Sequence, residues 1–150
     1  MKKFIFLFIL SFVANTTLLA YDAEIDGVYY NFSGDEAIVT FRVKNARDNY
    51  SGDVIIPEFV TFEGKEYRVT EIGRSAFSYS SELTSITIPA SVIRIADWSF
   101  ANCTGLTTIH IPESVTYIGD SAFRDCISLI TVNIPTDVTS LNNYTLSIVL

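Results

Sequence analysis

A single histidine, His110, is all that the 150 residues offer for acid–base work near neutral pH. No nucleophile motif surrounds it, so a Ser-His-Asp arrangement has nothing to anchor it, and the chain is not expected to be an enzyme. Two cysteines, Cys103 and Cys126, are far too few for a disulfide-built scaffold. Together with that histidine they form no ligand cluster of known spacing, so neither a metal nor a cofactor is expected. A Gly-rich phosphate loop and an EF-hand pattern are both lacking. Basic residues are scarce as well: 10 Lys and Arg face 17 Asp and Glu, for a net charge of −7. Without a Lys/Arg cluster there is no electrostatic footprint for nucleic acid or anionic lipid.

Long apolar runs are missing except at the start. Met1-Lys2-Lys3 is a charged opening, residues 4–13 are apolar, and Leu18-Leu19-Ala20 ends a short tail. That order is the pattern of a secretory signal peptide over 1–20, cleaved most simply after Ala20. The apolar run is shorter than the ~20 residues that span a bilayer, and no Cys follows it to carry a lipoprotein anchor. The product is expected to be exported, secreted or at the cell surface, with no membrane insertion after cleavage. Removing residues 1–20 takes away Lys2 and Lys3, leaving 8 basic against 17 acidic residues and a charge of −9.

What the chain has in abundance is repetition. Phe77, Phe100 and Phe123 lie 23 residues apart, as do Ile72, Ile95 and Ile118, and Leu83, Leu106 and Leu129. Ile88-Pro89, Ile111-Pro112 and Ile134-Pro135 close the copies, Val69, Val92 and Val115 open them, and Ile86, Ile109 and Val132 share a further apolar place. A fixed period in the 20s marks a solenoid, whose coils bury their apolar faces only against one another. Leu-x-x-Ile-x-Ile has the alternation of a half-buried strand, and stacking puts such strands in parallel register. Residues 92–95 and 115–118 form a second short strand on another side, and Asp120 caps a single helical turn in Gly119-Asp120-Ser121-Ala122-Phe123. The phenylalanines stack as a spine. Cys103 and Cys126 hold one place in successive coils, as two buried thiols or as an inter-coil disulfide.

Residues 21–53 do not repeat. Asp26-Gly27 between apolar-aromatic flanks signals a hairpin, residues 37–43 read as a strand, and the polar residues 44–53 read as a loop. This segment is expected to be a small antiparallel β cap over the first coil. Residues 54–68 form a partial first coil: Ile56-Pro57 lies 32 residues before Ile88-Pro89, one period plus nine, and Glu63-Gly64 turns a hairpin insertion. Three 23-residue repeats fill 69–137. A truncated fourth covers 138–150, ending in the apolar Ser147-Ile148-Val149-Leu150, as expected of a truncated product or of an end covered by a partner.

Ile118-Gly119-Asp120-Ser121-Ala122-Phe123-x-x-Cys126-x-x-Leu129, followed by Val132-x-Ile134-Pro135, resembles the BspA-type leucine-rich repeat of bacterial surface proteins. Residues 51–57 and the leader are similar to the N-terminal region of such proteins from Bacteroides-like bacteria. The resemblance implies a leucine-rich-repeat solenoid, mainly β with short helical turns, an N-terminal antiparallel β cap and parallel stacked strands. It also implies an adhesion or recognition module with host matrix proteins among its ligands, and it brings no catalytic residues. The chain departs from the pattern at Trp98, Ser99 and Ser80, the last standing where the first Cys belongs.

If Ile86, Ile109 and Val132 point inward, their neighbours point outward. That makes two polar columns, Ser85-Thr108-Thr131 and Thr87-His110-Asn133, either ordinary solvated strand or a face that accepts a protein or glycan. Trp98 is expected on the outside of its coil, as a contact anchor or packed over a neighbour; Tyr29, Tyr30 and Tyr67 admit the same two readings. Three sequons, beginning at Asn31, Asn102 and Asn143, matter only in a eukaryotic secretory pathway. The expected function is binding of an extracellular protein or glycan through the strand face. The alternative is a structural or truncated solenoid with no ligand of its own, self-associating through its C-terminal edge.

Overall fold

The computed structural model describes residues 20–42 and 50–138. The leader up to Leu19, the last residue of the expected strand (Val43) with residues 44–49 of the expected loop, and the fourth copy beyond Val138 lie outside the described residues. β1 (Ala23–Ile25) and β2 (Val28–Ser33) pair antiparallel around Asp26 and Gly27, whose φ values are 50° and 80°. Positive φ at both central positions is the turn that matches the right-handed twist of the flanking strands, and glycine adopts it without steric cost. β2 pairs antiparallel with β3 (Glu36–Thr40). β4 (Gly52–Ile55) opens the first coil, and the insertion follows as an antiparallel pair, β5 (Phe59–Phe62) with β6 (Lys65–Ile72). Then come β7 (Leu83–Thr87), β8 (Arg94–Ile95), β9 (Thr108–His110), β10 (Tyr117–Ile118) and β11 (Thr131–Val132).

The coils stack into two sheets. One runs β11-β9-β7-β4 and is parallel throughout. The other runs β1-β2-β3-β6-β8-β10, with β5 beside β6. The N-terminal segment is therefore less self-contained than an antiparallel cap. β3 runs parallel to β6, with Ala37 opposite Val69 and Val39 opposite Ile72, so it continues the solenoid's own sheet. β6 can serve both partners because it is eight residues long: its first half holds β5, and its second half carries Val69 and Ile72 of the repeat.

The expected helical turn after each second strand is not formed. Residues 73–80 are successive turns, with Ala76 N–H donating to Gly73 O and Ser80 N–H to Phe77 O. Ser75, Trp98 and Ser121 have φ of 56°, 59° and 54°, and Tyr79, Asn102 and Asp125 are also left-handed. Turns with positive φ at the third residue break the helical path and free alternate N–H groups to point along the solenoid axis. Those of Ser75, Phe77 and Tyr79 donate to the carbonyls of Asp97, Ser99 and Ala101 at 2.7–3.1 Å, and Trp98, Phe100 and Asn102 repeat the pattern one coil on. Asp120 caps nothing here; its N–H donates to Asp97 Oδ1 at 3.0 Å, tying two coils together.

Ile72, Leu83, Ile95, Leu106, Ile118 and Leu129 are buried at their repeat places. Phe77, Phe100 and Phe123 stack with ring centroids 5.1 and 5.3 Å apart and planes within 4°. Tyr50, placed by sequence in a polar loop, is instead core: its ring lies 4.3 Å from that of Phe77 and its hydroxyl donates to Thr40 O. Ser80 Oγ accepts the Tyr50 N–H at 3.3 Å, which satisfies a buried amide at the point where the later coils carry cysteine.

Cys103 and Cys126 are free, buried thiols rather than an inter-coil disulfide. Their sulfurs lie 3.0 Å from the carbonyls of Phe77 and Phe100 in the preceding coils, to which the S–H groups donate. The Cys126 thiol bonded to it, and then burial, push the Cys103 thiol well above its ordinary value. Both sulfurs are fully buried and out of a reagent's reach, so neither is expected to react with an aromatic disulfide reagent in native protein. Both are expected to react once guanidinium unfolds it. Release of thiolate from the native protein within minutes would contradict this packing.

Candidate functional site

Stacking at 23-residue intervals carries each strand residue directly over its equivalent. Ser85 pairs with Thr108 and Thr87 with His110 between β7 and β9, and Thr108 pairs with Thr131 between β9 and β11. Ile86, Ile109 and Val132, between the two columns, turn inward, the first two buried and the third half-buried. The result is an open groove of about 550 Å³ lined by Ser85, Thr87, Thr108, His110, Thr131 and Asn133. Neighbouring strands lie about 4.8 Å apart, so the columns present hydroxyls at the spacing of one coil.

Its polar groups differ in what they have to offer. Thr87, Thr108, His110 and Thr131 are exposed. Asn133 is committed: its Oδ1 accepts the Ile111 N–H at 2.9 Å and its Nδ2 donates to Ile111 O at 2.8 Å. It thus stands in for the strand pairing that β11 ends too soon to make, and its amide belongs to the scaffold. Trp98 is not part of the face. It sits half-buried in the turn segment after β8, with the Arg124 guanidinium 5.4 Å over its ring. That placement follows from its left-handed backbone, an uncommon state for so bulky a residue. Of the tyrosines weighed as contacts, Tyr29 and Tyr30 are buried and Tyr67 is half-buried, its ring 4.4 Å from Phe32.

The face also extends further than the polar columns suggest. Asp53 pairs with Ser85 and Ile55 with Thr87, so each column gains a member from β4. The signal was present in sequence: the 32-residue offset that relates Pro57 to Pro89 also relates these pairs, but Asp53 reads as loop beside Ser51 and Gly52. Asp53 Oδ1 accepts hydroxyl protons from Ser85 at 2.7 Å and Thr84 at 2.8 Å. Those bonds, Ser85 first, hold its carboxyl below the usual range. Ile55 is 72% exposed beside it, an apolar side chain on an otherwise polar surface. Among the described residues, no group of three or more His, Cys, Asp and Glu side chains could hold a metal ion, and no helix is long and apolar enough to cross a membrane.

Comparison with known proteins agrees with this geometry. The family model described as "BspA type Leucine rich repeat region (6 copies)" matches residues 67–149. The chain is 34% identical to a leucine-rich repeat protein of known structure from Bacteroides ovatus, with a TM-score of 0.69 over 78% of this chain and 30% of that one. It is 32% identical to a leucine-rich repeat protein from Bacteroides capillosus, with a TM-score of 0.70 over 81% of this chain and 87% of that one. The chain therefore spans under a third of the first of these proteins and most of the second. No curated protein matches it. With a family model matching more than half its length and stacked 23-residue coils whose strands pair in parallel, the chain belongs to the BspA-type leucine-rich repeat family.

Proposed function

We propose that the chain is an exported, non-catalytic recognition module that binds an extracellular protein or glycan through the β4-β7-β9-β11 face. The observation that carries this reading is the register itself: exposed hydroxyls of Thr87, Thr108 and Thr131 and the His110 ring converge on one open groove. Small neutral donors and acceptors on a rigid sheet can meet a ligand's hydrogen-bonding groups at little conformational cost. The charged opening and apolar run of residues 1–13 support export.

The test is capture of residues 21–150 on an array of immobilised extracellular matrix proteins and glycans. Thr108→Lys, at the centre of the groove, is expected to weaken capture by about tenfold. Thr116→Lys, exposed beside β10 on the other sheet, is expected to change nothing. Equal capture of both variants would sink the reading. A second reading rests on Ile127 and Ile130, 64% and 81% exposed in the last described coil, which suit contact with another copy. Light scattering separates the two: a mass that rises with concentration supports self-association, and a monomer with specific capture supports the recognition module.

A further inference from the structure

Among the described residues, β4 is the outermost strand of its sheet. Its neighbour β7 takes the Ile56 N–H on Thr87 O at 3.0 Å, flanking the Ile55–Thr87 pair. In a parallel ladder the backbone groups of alternate residues face opposite edges, so those of Asp53 and Ile55 face away from β7. They open into a groove of about 280 Å³, lined by Tyr50, Ser51, Asp53 and Ile55 on one side and by the Asp26-Gly27 turn on the other. Among the described residues, the charges in its wall are the carboxylates of Asp26 and Asp53, and no basic residue lines it.

We propose that this edge binds an extended, basic segment of another protein by adding it as a further strand. Strand addition uses main-chain hydrogen bonds for affinity and alternate side chains for selection. The outward N–H and C=O groups of Asp53 and Ile55, two residues apart, match one repeat of such a pairing. A residue laid beside Asp53 meets a carboxylate, and the residue two places on meets the exposed side chain of Ile55. The segment selected is therefore Lys or Arg, any residue, then an aliphatic one. Charge argues against a second copy as the occupant. The chain carries −7, and β11, at the opposite edge of the same sheet among the described residues, is Thr131-Val132 and brings no cation. The proposed pairing uses the backbone edge of β4, whereas the open face uses the flat side of the same strands, to which the Asp53 and Ile55 side chains also belong.

The experiment is fluorescence anisotropy of residues 21–150 with a labelled, end-blocked octapeptide, Thr-Lys-Thr-Val-Thr-Lys-Thr-Val. Saturable binding is expected. Ile55→Pro removes an outward N–H at a place where an edge strand tolerates proline, and is expected to weaken binding by about tenfold. Asp53→Asn keeps the acceptor for Ser85 and Thr84, and is expected to weaken binding several-fold and reduce its salt dependence. Should Ile55→Pro fail to fold, two N-methylated peptides decide. Methylation at one set of alternate residues is expected to abolish binding, and at the other set to leave it intact. Equal binding of the two methylated peptides, undiminished binding to folded Ile55→Pro, or no binding up to about 1 mM peptide would each overturn the proposal.

Discussion

Replacing Phe100 with alanine is expected to lower the unfolding free energy by about 3–5 kcal/mol, a large fraction of what a domain of this size possesses. The ring is fully buried between Phe77 and Phe123, so truncation removes both stacking partners at once. Collapse of the neighbours into the cavity is opposed by the backbone on either side. Phe77 N–H is bonded to Ser99 O at 2.7 Å and Phe100 N–H to Ala122 O at 2.8 Å, and these bonds hold the coils at their spacing. A site that cannot relax loses more than the transfer energy of the deleted atoms, which places Phe100→Ala toward the upper part of the range. Urea denaturation of residues 21–150 measures it, and Phe100→Leu, leaving a smaller void, is expected to lose less. A loss under about 1 kcal/mol would mean that the stack contributes little.

A single methyl group at Gly119 is expected to cost about 3 kcal/mol or more, at the upper end of overpacking. A Cβ there would lie 2.4 Å from Asp97 N, 2.4 Å from Asp97 Oδ1 and 2.7 Å from Ala96 C. Two of those atoms are backbone in the preceding coil. That coil cannot withdraw without breaking the Gly119 N–H bond to Ile95 O at 2.8 Å and the Asp120 N–H bond to Asp97 Oδ1 at 3.0 Å. For a chain of this length the loss corresponds to a fall in melting temperature of roughly 10 °C. Ala96, one period earlier, carries a Cβ in the same place and is simply buried. The intolerance at Gly119 therefore comes from how closely the Ala96–Asp97 segment approaches, and Asp97→Ala in the Gly119→Ala background is expected to recover only part of the loss. Wild-type stability in Gly119→Ala would show that the coils stand further apart than this.

The two substitutions probe different kinds of information. Phe100 announces itself, because a coil that stacks on its own image by translation must repeat its buried residues, and 23-residue spacing of Phe, Ile and Leu is the direct record of that. The solenoid, the parallel pairing, the inward Ile86, Ile109 and Val132, and the Asp26-Gly27 hairpin all follow from side-chain periodicity or turn chemistry, which sequence carries explicitly. Gly119 does not announce itself, since Gly73 and Ala96 share its place and only the close approach of Ala96 and Asp97 makes a methyl group forbidden. The turn segments escaped for the same reason: Ser75, Trp98, Ser121, Tyr79, Asn102 and Asp125 share no residue type that declares a left-handed backbone, yet the ladder between coils needs it at each.

The candidate site divides along the same line. Ser85, Thr87, Thr108, His110 and Thr131 could be assigned to one face from alternation alone. That Asn133 is spent on the Ile111 backbone, that Trp98 lies elsewhere, and that Asp53 and Ile55 extend the columns depended on contacts between residues 22–32 positions apart, or outside the period. Tyr50 is the clearest case. Nothing around it repeats, and it is buried because distant segments meet it: Phe77 and Ser80 offer a ring and a hydroxyl for its N–H, and Tyr29 and Thr40 take its ring and its own hydroxyl. Periodic burial is a local pattern written many times over, so sequence states it. A single contact across the fold is written once, in the relative position of two distant segments, and only the folded chain brings them together.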